Sequence, residues 1–184
     1  MKIKKLVVSA FDLDQLKGEV QSLPQQAWIP HFNTQYYTGH WSVVPLRSVG
    51  GQSEHIYPNP ASDKPFEDTR HLKVLPVTQQ VINSIPGEKT SVRFMKLGAE
   101  SSIREHEDYN LSLEDEDLRI HVPVFTHEEA EFWLDGERVP MMEGECWYLN
   151  FNLRHRLYNP GPGDRIHLVM DCVVSDELRE FIQA

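Results

Sequence analysis

The chain has 184 residues, 40% of them hydrophobic and 25% charged, which are the proportions of an ordinary globular protein long enough to bury a core without disulfides or a structural metal. Its formal net charge of −10 excludes a broadly basic surface, so neither nucleic acid nor an anionic membrane is an expected partner. No stretch approaches the roughly 20 apolar residues of a membrane span, and the apolar run in Met1-Lys2-Ile3-Lys4-Lys5-Leu6-Val7-Val8 is too short for a secretory signal.

A chain of this length reads as one domain, residues 1–184, with a mixed N-terminal part (1–89) packing on a β core (90–184). Phe11, Leu13, Leu16, Val20 and Leu23 predict a first helix, with Asp12 near its start. Val43 to Leu46 reads as a short strand. From Gly50 to Arg70, Pro58, Pro60, Pro65 and small polar residues predict a long loop, either a lid or a surface excursion. Val77, Val81, Ile82 and Ile85 predict a second helix stopped by Pro86-Gly87.

From Thr90 the hydrophobic period changes to two. Strands are expected at 91–97, 101–106, 118–125, 130–134, 137–141, 145–151, 154–158 and 165–174. Asp135-Gly136 between two apolar runs is a hairpin signal. Ser175 caps a last helix, with Asp176 and Glu177 placed to complement its dipole. Many short antiparallel strands with tight turns form two facing sheets, a jelly roll or a flattened barrel. Cys146 and Cys172 each fall in an apolar run and form no Cys-x-x-Cys pair, which points to buried, reduced thiols and a cytoplasmic protein. A homodimer is expected only on the general frequency of such assemblies.

Strand alternation carries the chemistry. On 118–125, Arg119, His121 and Pro123 share one face, and Ile120, Val122 and Val124 the other. On 165–174, Arg165, His167, Val169 and Asp171 oppose Ile166, Leu168, Met170 and Cys172. Both strands place an Arg-x-His pair opposite an unbroken aliphatic row. If those Arg-x-His faces line a cavity rather than solvent, two converging guanidiniums require an anion there.

His106 and Asp108 lie two apart and can chelate one ion. His155 follows 49 residues after His106, and Arg165 ten residues after that. Two imidazoles and a carboxylate bind one face of iron(II) and leave the other open. The Arg supplies a cation for the far end of a dicarboxylic cosubstrate. His31, His40, His55, His71 and His127 lack a nearby chelating partner and read as surface or packing residues. The acidic run Glu105–Asp117 reads as a solvated loop apart from Asp108.

The C-terminal stretch resembles the aspartyl/asparaginyl β-hydroxylase family of iron(II)/2-oxoglutarate dioxygenases, which includes bacterial free-proline hydroxylases. The segments that carry the likeness are Leu118-Arg119-Ile120-His121-Val122-Pro123, Met141-Met142-Glu143-Gly144-Glu145, Arg154-His155, Asn159, and Asp164-Arg165-Ile166-His167-Leu168-Val169-Met170-Asp171. Upstream, Trp41-Ser42-Val43-Val44-Pro45-Leu46-Arg47 is similar to the segment preceding the family's core. The resemblance implies a double-stranded β-helix, cupin-like, with flanking helices. It implies iron(II) on His106, Asp108 and His155. It also implies 2-oxoglutarate on Arg165, with Arg119, His121 and His167 assisting, and O2 as the oxidant. The animal enzymes lack the acidic ligand, so Asp108 places this chain nearer the bacterial members.

The expected reaction is hydroxylation of an aspartyl, asparaginyl or related side chain. Two alternatives stand beside it: a free L-amino-acid hydroxylase of the proline type, and a cupin-like metal or small-molecule binder without turnover. Arg47 is the candidate for a substrate carboxylate, or else a structural ion pair. Tyr36, Tyr37 and Trp41 are candidates for the pocket wall.

Overall fold

The computed structural model describes residues 1–54, 56 and 62–184. His55, Pro58, Pro60 and the middle of the expected 50–70 loop lie outside the described residues. The chain opens with β1 (Ile3–Leu6), which pairs with a strand near residue 147, so the first residues belong to a sheet. Asp12 accepts the Gln15 amide (3.0 Å) and starts α1 (Leu13–Ser22), which buries Leu16 and Val20. Two short strands follow, β2 (Ile29–Pro30) and β3 (Tyr37–Thr38).

The expected four-residue strand is the middle of a nine-residue one, β4 (Trp41–Val49). Pro45 hid its length, because proline cannot donate to a ladder. The proline is accommodated at a bulge, where the register with the neighbouring strand shifts between Pro45 and Arg47. Within the expected loop lies β5 (Phe66–Asp68), paired with β4. In α2 (Pro76–Asn83) the proline takes the first turn, where its missing N–H costs nothing. The free amides of Val77 and Thr78 donate to Glu19 on α1 (2.7 and 2.8 Å).

All eight expected C-terminal strands are present: β6 (Lys89–Leu97), β7 (Ser101–His106), β8 (Asp117–Phe125), β9 (Glu131–Leu134), β10 (Glu137–Arg138), β11 (Cys146–Leu149), β12 (His155–Asn159) and β13 (Arg165–Val173). Asp135 (φ 49°) and Gly136 (φ 77°) both lie in the left-handed region and join β9 to β10 in a two-residue hairpin. The chain closes with α3 (Asp176–Gln183), where Ser175 Oγ accepts the Leu178 amide (3.2 Å).

The strands form two antiparallel sheets, the jelly-roll architecture. The larger runs β1-β11-β8-β13-β6-β4-β2 with β5 beside β4, and the smaller runs β10-β9-β12-β7-β3. Residues 1–89 contribute strands to both. On the outer face of the larger sheet, Val44, Leu46, Phe94, Ile120, Leu168 and Met170 pack under Leu16, Val20, Val81, Ile82, Leu178 and Ile182 of the helices. A second apolar cluster, including Leu97, Ile103, Phe132, Leu134, Phe151 and Leu157, lies between the sheets. Cys146 and Cys172 are both buried and free, as expected. Among the described residues no helix is long and apolar enough to cross a membrane.

Candidate active site

The two sheets enclose a cavity of about 520 Å³. On the smaller sheet, β7 ends at His106 and β12 begins at His155, and the two are direct cross-strand partners. Beyond the strand end, the Asp108 amide donates to the Phe151 carbonyl (2.9 Å), which turns its carboxylate toward the imidazoles. One ligand atom from each of His106, Asp108 and His155 lies within 4.8 Å of the others, a spacing that could hold a metal ion.

The imidazoles are oriented alike. Nδ1 of His106 contacts the Arg104 carbonyl (2.8 Å), and Nδ1 of His155 the Leu153 carbonyl (2.9 Å). A carbonyl only accepts, so each Nδ1 carries the hydrogen and each Nε2 keeps its lone pair. Burial pushes His155 down to about 4, so it is neutral at pH 7. Burial alone would raise Asp108, but Arg119 and the two imidazoles outweigh it and hold the carboxyl below its ordinary value. Arg119 Nη1 donates to one Asp108 oxygen at 2.6 Å.

On the larger sheet, β8, β13 and β6 present a polar face to the cavity. Arg119 and Asp171 are cross-strand partners, joined by Nε to Oδ1 at 2.6 Å and Nη2 to Oδ2 at 3.2 Å. Arg93 Nη1 donates to the same Asp171 (2.9 Å) and to Ser91 Oγ (2.7 Å). Burial would raise Asp171, but the two guanidiniums outweigh it and keep the carboxyl well below the usual range.

Arg165 differs from both. It is 4% exposed and has no acidic partner among the described residues; its polar contact is to His167 Nδ1 at 3.2 Å. Burial, with nothing to offset it, lowers the guanidinium to about 9, so it remains charged at neutral pH. Beside it, His121 and His167 face each other through Nδ1 (3.3 Å), and their Nε2 atoms have no partner. A guanidinium only donates, so His167 Nδ1 accepts and its Nε2 carries the hydrogen; a buried cation and an unpaired N–H in one cavity are a costly arrangement unless an anion with several acceptor oxygens enters.

The fit of both groups can be read from these atoms. Two Nε2 lone pairs and a carboxylate suit a divalent iron-type ion. Arg165 with the open His167 Nε2–H suits a dicarboxylate. A family model described as aspartyl/asparaginyl β-hydroxylase matches residues 11–174. The chain belongs to the aspartyl/asparaginyl β-hydroxylase family. It is therefore an enzyme, a hydroxylase. The fold is shared with an oxidoreductase of the 2OG-Fe(II) oxygenase family from Burkholderia pseudomallei, at 12% identity and TM-score 0.57, covering 89% of this chain and 79% of that one. It is shared also with a Pseudomonas putida prolyl-4-hydroxylase, at 12% identity and TM-score 0.55, covering 94% and 92%.

In this hydroxylase, His106, Asp108, His155, Arg165, Arg119, His121, His167 and Trp41 all line one cavity. Three expectations need correction. Arg47 does not line the cavity; its Nη1 pairs with Asp68 (2.7 Å) and its Nε donates to the Lys89 carbonyl (2.8 Å), the structural pairing. Arg119, expected at the cosubstrate, is committed on both edges to Asp108 and Asp171. His31, read as surface or packing, lines the cavity against Trp41.

Tyr36 lines the cavity near His106, with ring centroids 5.7 Å apart, whereas Tyr37 stands behind Trp41. His127 bonds Asn159, and His71 is buried outside the cavity. Arg93 was missed altogether. The alternation rule that singled out Arg119 and Arg165 also puts Arg93 on the cavity face of β6, in register with Val169 of β13.

Proposed function

We propose that this hydroxylase binds iron(II) through Nε2 of His106 and His155 and one Asp108 oxygen. It binds 2-oxoglutarate with the distal carboxylate on Arg165, and it hydroxylates an amino-acid side chain, aspartyl, asparaginyl or related. With iron(II) and 2-oxoglutarate bound, the pair couples oxidative decarboxylation of 2-oxoglutarate to succinate and carbon dioxide with transfer of one oxygen atom of O2 into a substrate C–H bond.

The protein's own part is placement and exclusion of water. Arg119 occupies one oxygen of Asp108, leaving the other for the metal. Asp171 holds Arg119 from behind. His121 and His167 complete the polar wall beside Arg165, and their depressed basicity, caused first by burial and next by Arg165, keeps them neutral next to that cation. Val43, Met95, Leu97, Ile103 and Leu111 add an apolar stretch of wall, which would help to exclude water from the reacting C–H bond.

The observation that carries this reading is Arg165, a buried guanidinium with no acidic partner among the described residues, in the same cavity as the triad. Anaerobic titration with iron(II) and then 2-oxoglutarate tests it. The wild type should develop the visible metal-to-ligand charge-transfer band, and Asp108→Ala and Arg165→Ala should weaken it. Tight zinc binding with no band, and no succinate formed from 2-oxoglutarate, would leave the non-catalytic binder as the better account.

A free L-amino acid is the second reading, and Arg93 offers a place for its carboxylate. Asp171 is one carboxylate serving two guanidiniums, and Asp108, the other carboxylate bonded to this pair among the described residues, is assigned to the metal. Positive charge is therefore left over at Arg93, on the cavity wall, where a substrate carboxylate would neutralise it. Arg93 replaces Arg47 as the candidate for that role.

A further inference from the structure

His31 lies between β2 and β3 and is held on every side but one. Its amide donates to the Trp41 carbonyl (2.8 Å) and its own carbonyl accepts the Tyr37 hydroxyl (3.1 Å). The imidazole lies flat on the Trp41 indole, with centroids 3.5 Å and planes 6° apart. Tyr37 closes on it edgewise at 6.5 Å. Nδ1 accepts the Asn33 amide (3.3 Å), so the ring hydrogen belongs on Nε2. That Nε2 has no partner among the described residues, and the ring is part of the cavity wall that also carries Arg93, Arg119 and the triad.

Such immobilisation is more than a packing residue needs. Burial first, and Arg93 next, push the imidazole down to about 4, so at neutral pH it is an uncharged N–H donor of fixed direction, in the same cavity as a guanidinium that shares its carboxylate with Arg119. A fixed neutral donor and a cation lining one cavity match a carboxylate, which has more acceptor sites than one guanidinium edge fills.

We propose that His31 reads the substrate's acid group, donating from Nε2–H to a carboxylate oxygen while Arg93 supplies the opposite charge. This rests on the reading above that the cavity takes an acid-bearing substrate. The carboxylate has two sources, the α-carboxylate of a free amino acid or the side chain of a peptidyl aspartate. The same cavity wall carries Trp41, Val43 and Met95, so the body attached to that acid is apolar or compact.

The test loads the protein with manganese(II) and 2-oxoglutarate, which permits binding without turnover. It is then titrated calorimetrically with the twenty common L-amino acids and with N-acetyl-L-aspartate methylamide, whose only carboxylate is in the side chain. His31→Phe keeps the stack on Trp41 and removes the donor. It should weaken the ligand that wild type binds by about tenfold to a hundredfold, the effect of losing a hydrogen bond to a charged acceptor. His31→Gln, which keeps an N–H, should recover part of that loss, and 2-oxoglutarate affinity should not change.

Which probe binds distinguishes the two carboxylate sources. Equal affinity in wild type and His31→Phe would overturn the proposal. So would a parallel fall in 2-oxoglutarate affinity, which would mark a merely structural role. If wild type binds none of the probes, the acid-substrate reading falls and this proposal with it, an outcome separate from wild type binding one and His31→Phe binding it equally.

Discussion

Strand β13 shows two regions of this molecule on one backbone. One face carries Ile166, Leu168, Met170 and Cys172, buried under the helices, where each side chain adds to stability by leaving water. The other carries Arg165, His167 and Asp171, equally buried but polar. On the helix side burial and stability point the same way. On the cavity side, among the described residues, Arg93, Arg119 and Arg165 meet only Asp108 and Asp171 as direct carboxylate partners. The sheet holds that unbalanced set because its apolar face outweighs the cost, and the imbalance is what an anionic cosubstrate and substrate would relieve.

Substitutions on the two faces should therefore differ in how stability and ligand binding are linked. The largest effect is expected for Asp171→Ala, which leaves Arg93 and Arg119 without their shared carboxylate. Chemical denaturation should show a loss of about 3–5 kcal/mol, as for one removed partner of a buried pair. Leu168→Ala, on the fully buried helix side, should cost about 2–5 kcal/mol. It should leave the affinity of the folded protein for 2-oxoglutarate unaltered; an affinity change equal to that of an Arg165 variant would blur the division between the faces.

Arg165→Met reverses the sign. Replacing the lone buried cation with an apolar side chain should raise the melting temperature of the metal-free protein, by about 1–4 kcal/mol in stability, while weakening 2-oxoglutarate binding. A variant both less stable and unchanged in binding would show that Arg165 is structural.

The smallest effect is in pH. His121 and His167 are held well below 6.5, by burial first and Arg165 next. Their folded basicity is depressed, so the unfolded chain takes up protons that the folded one refuses. Their contribution is full above about pH 6.5 and declines as pH falls. Asp171, also depressed, acts with the same sign from about 3.8 downward. Melting temperatures should drop steadily from about pH 7.5 to pH 5, and less steeply in His167→Phe. A flat profile would mean these imidazoles are not held neutral.

Much of the fold was legible, and unevenly. Hydrophobic alternation with β-branched and aromatic residues revealed all eight C-terminal strands, because each has one buried face with a period of two. The N-terminal strands were hidden for local reasons. β1 reads Ile-Lys-Lys-Leu, too charged and short to stand out, and it becomes a strand only because β11 offers it a partner. β4 carries Pro45, whose missing donor is absorbed by a bulge that only the register with β6 creates.

The candidate site divides in the same way. His106, Asp108, His155 and Arg165 were legible from spacing and alternation. Arg47 was the residue expected to meet a substrate carboxylate, and what removes it is tertiary: Asp68 on β5 pairs with it across the β4–β5 ladder, and the cavity is lined by Arg93 instead.

By itself, the sequence determined which residues share a strand face, which loops turn tightly, and which types of donor could meet a metal, because these depend on neighbours within a few positions along the chain. The tertiary structure alone decided which cations are paired and which are free. Arg119 is claimed by Asp108 and Asp171, Arg47 by Asp68, and Arg165 by no carboxylate among the described residues. It also decided that His31, 75 positions before His106 in the chain, faces the same cavity. Charge neutralisation and cavity shape are set by groups that only the packed sheets bring within a few ångströms.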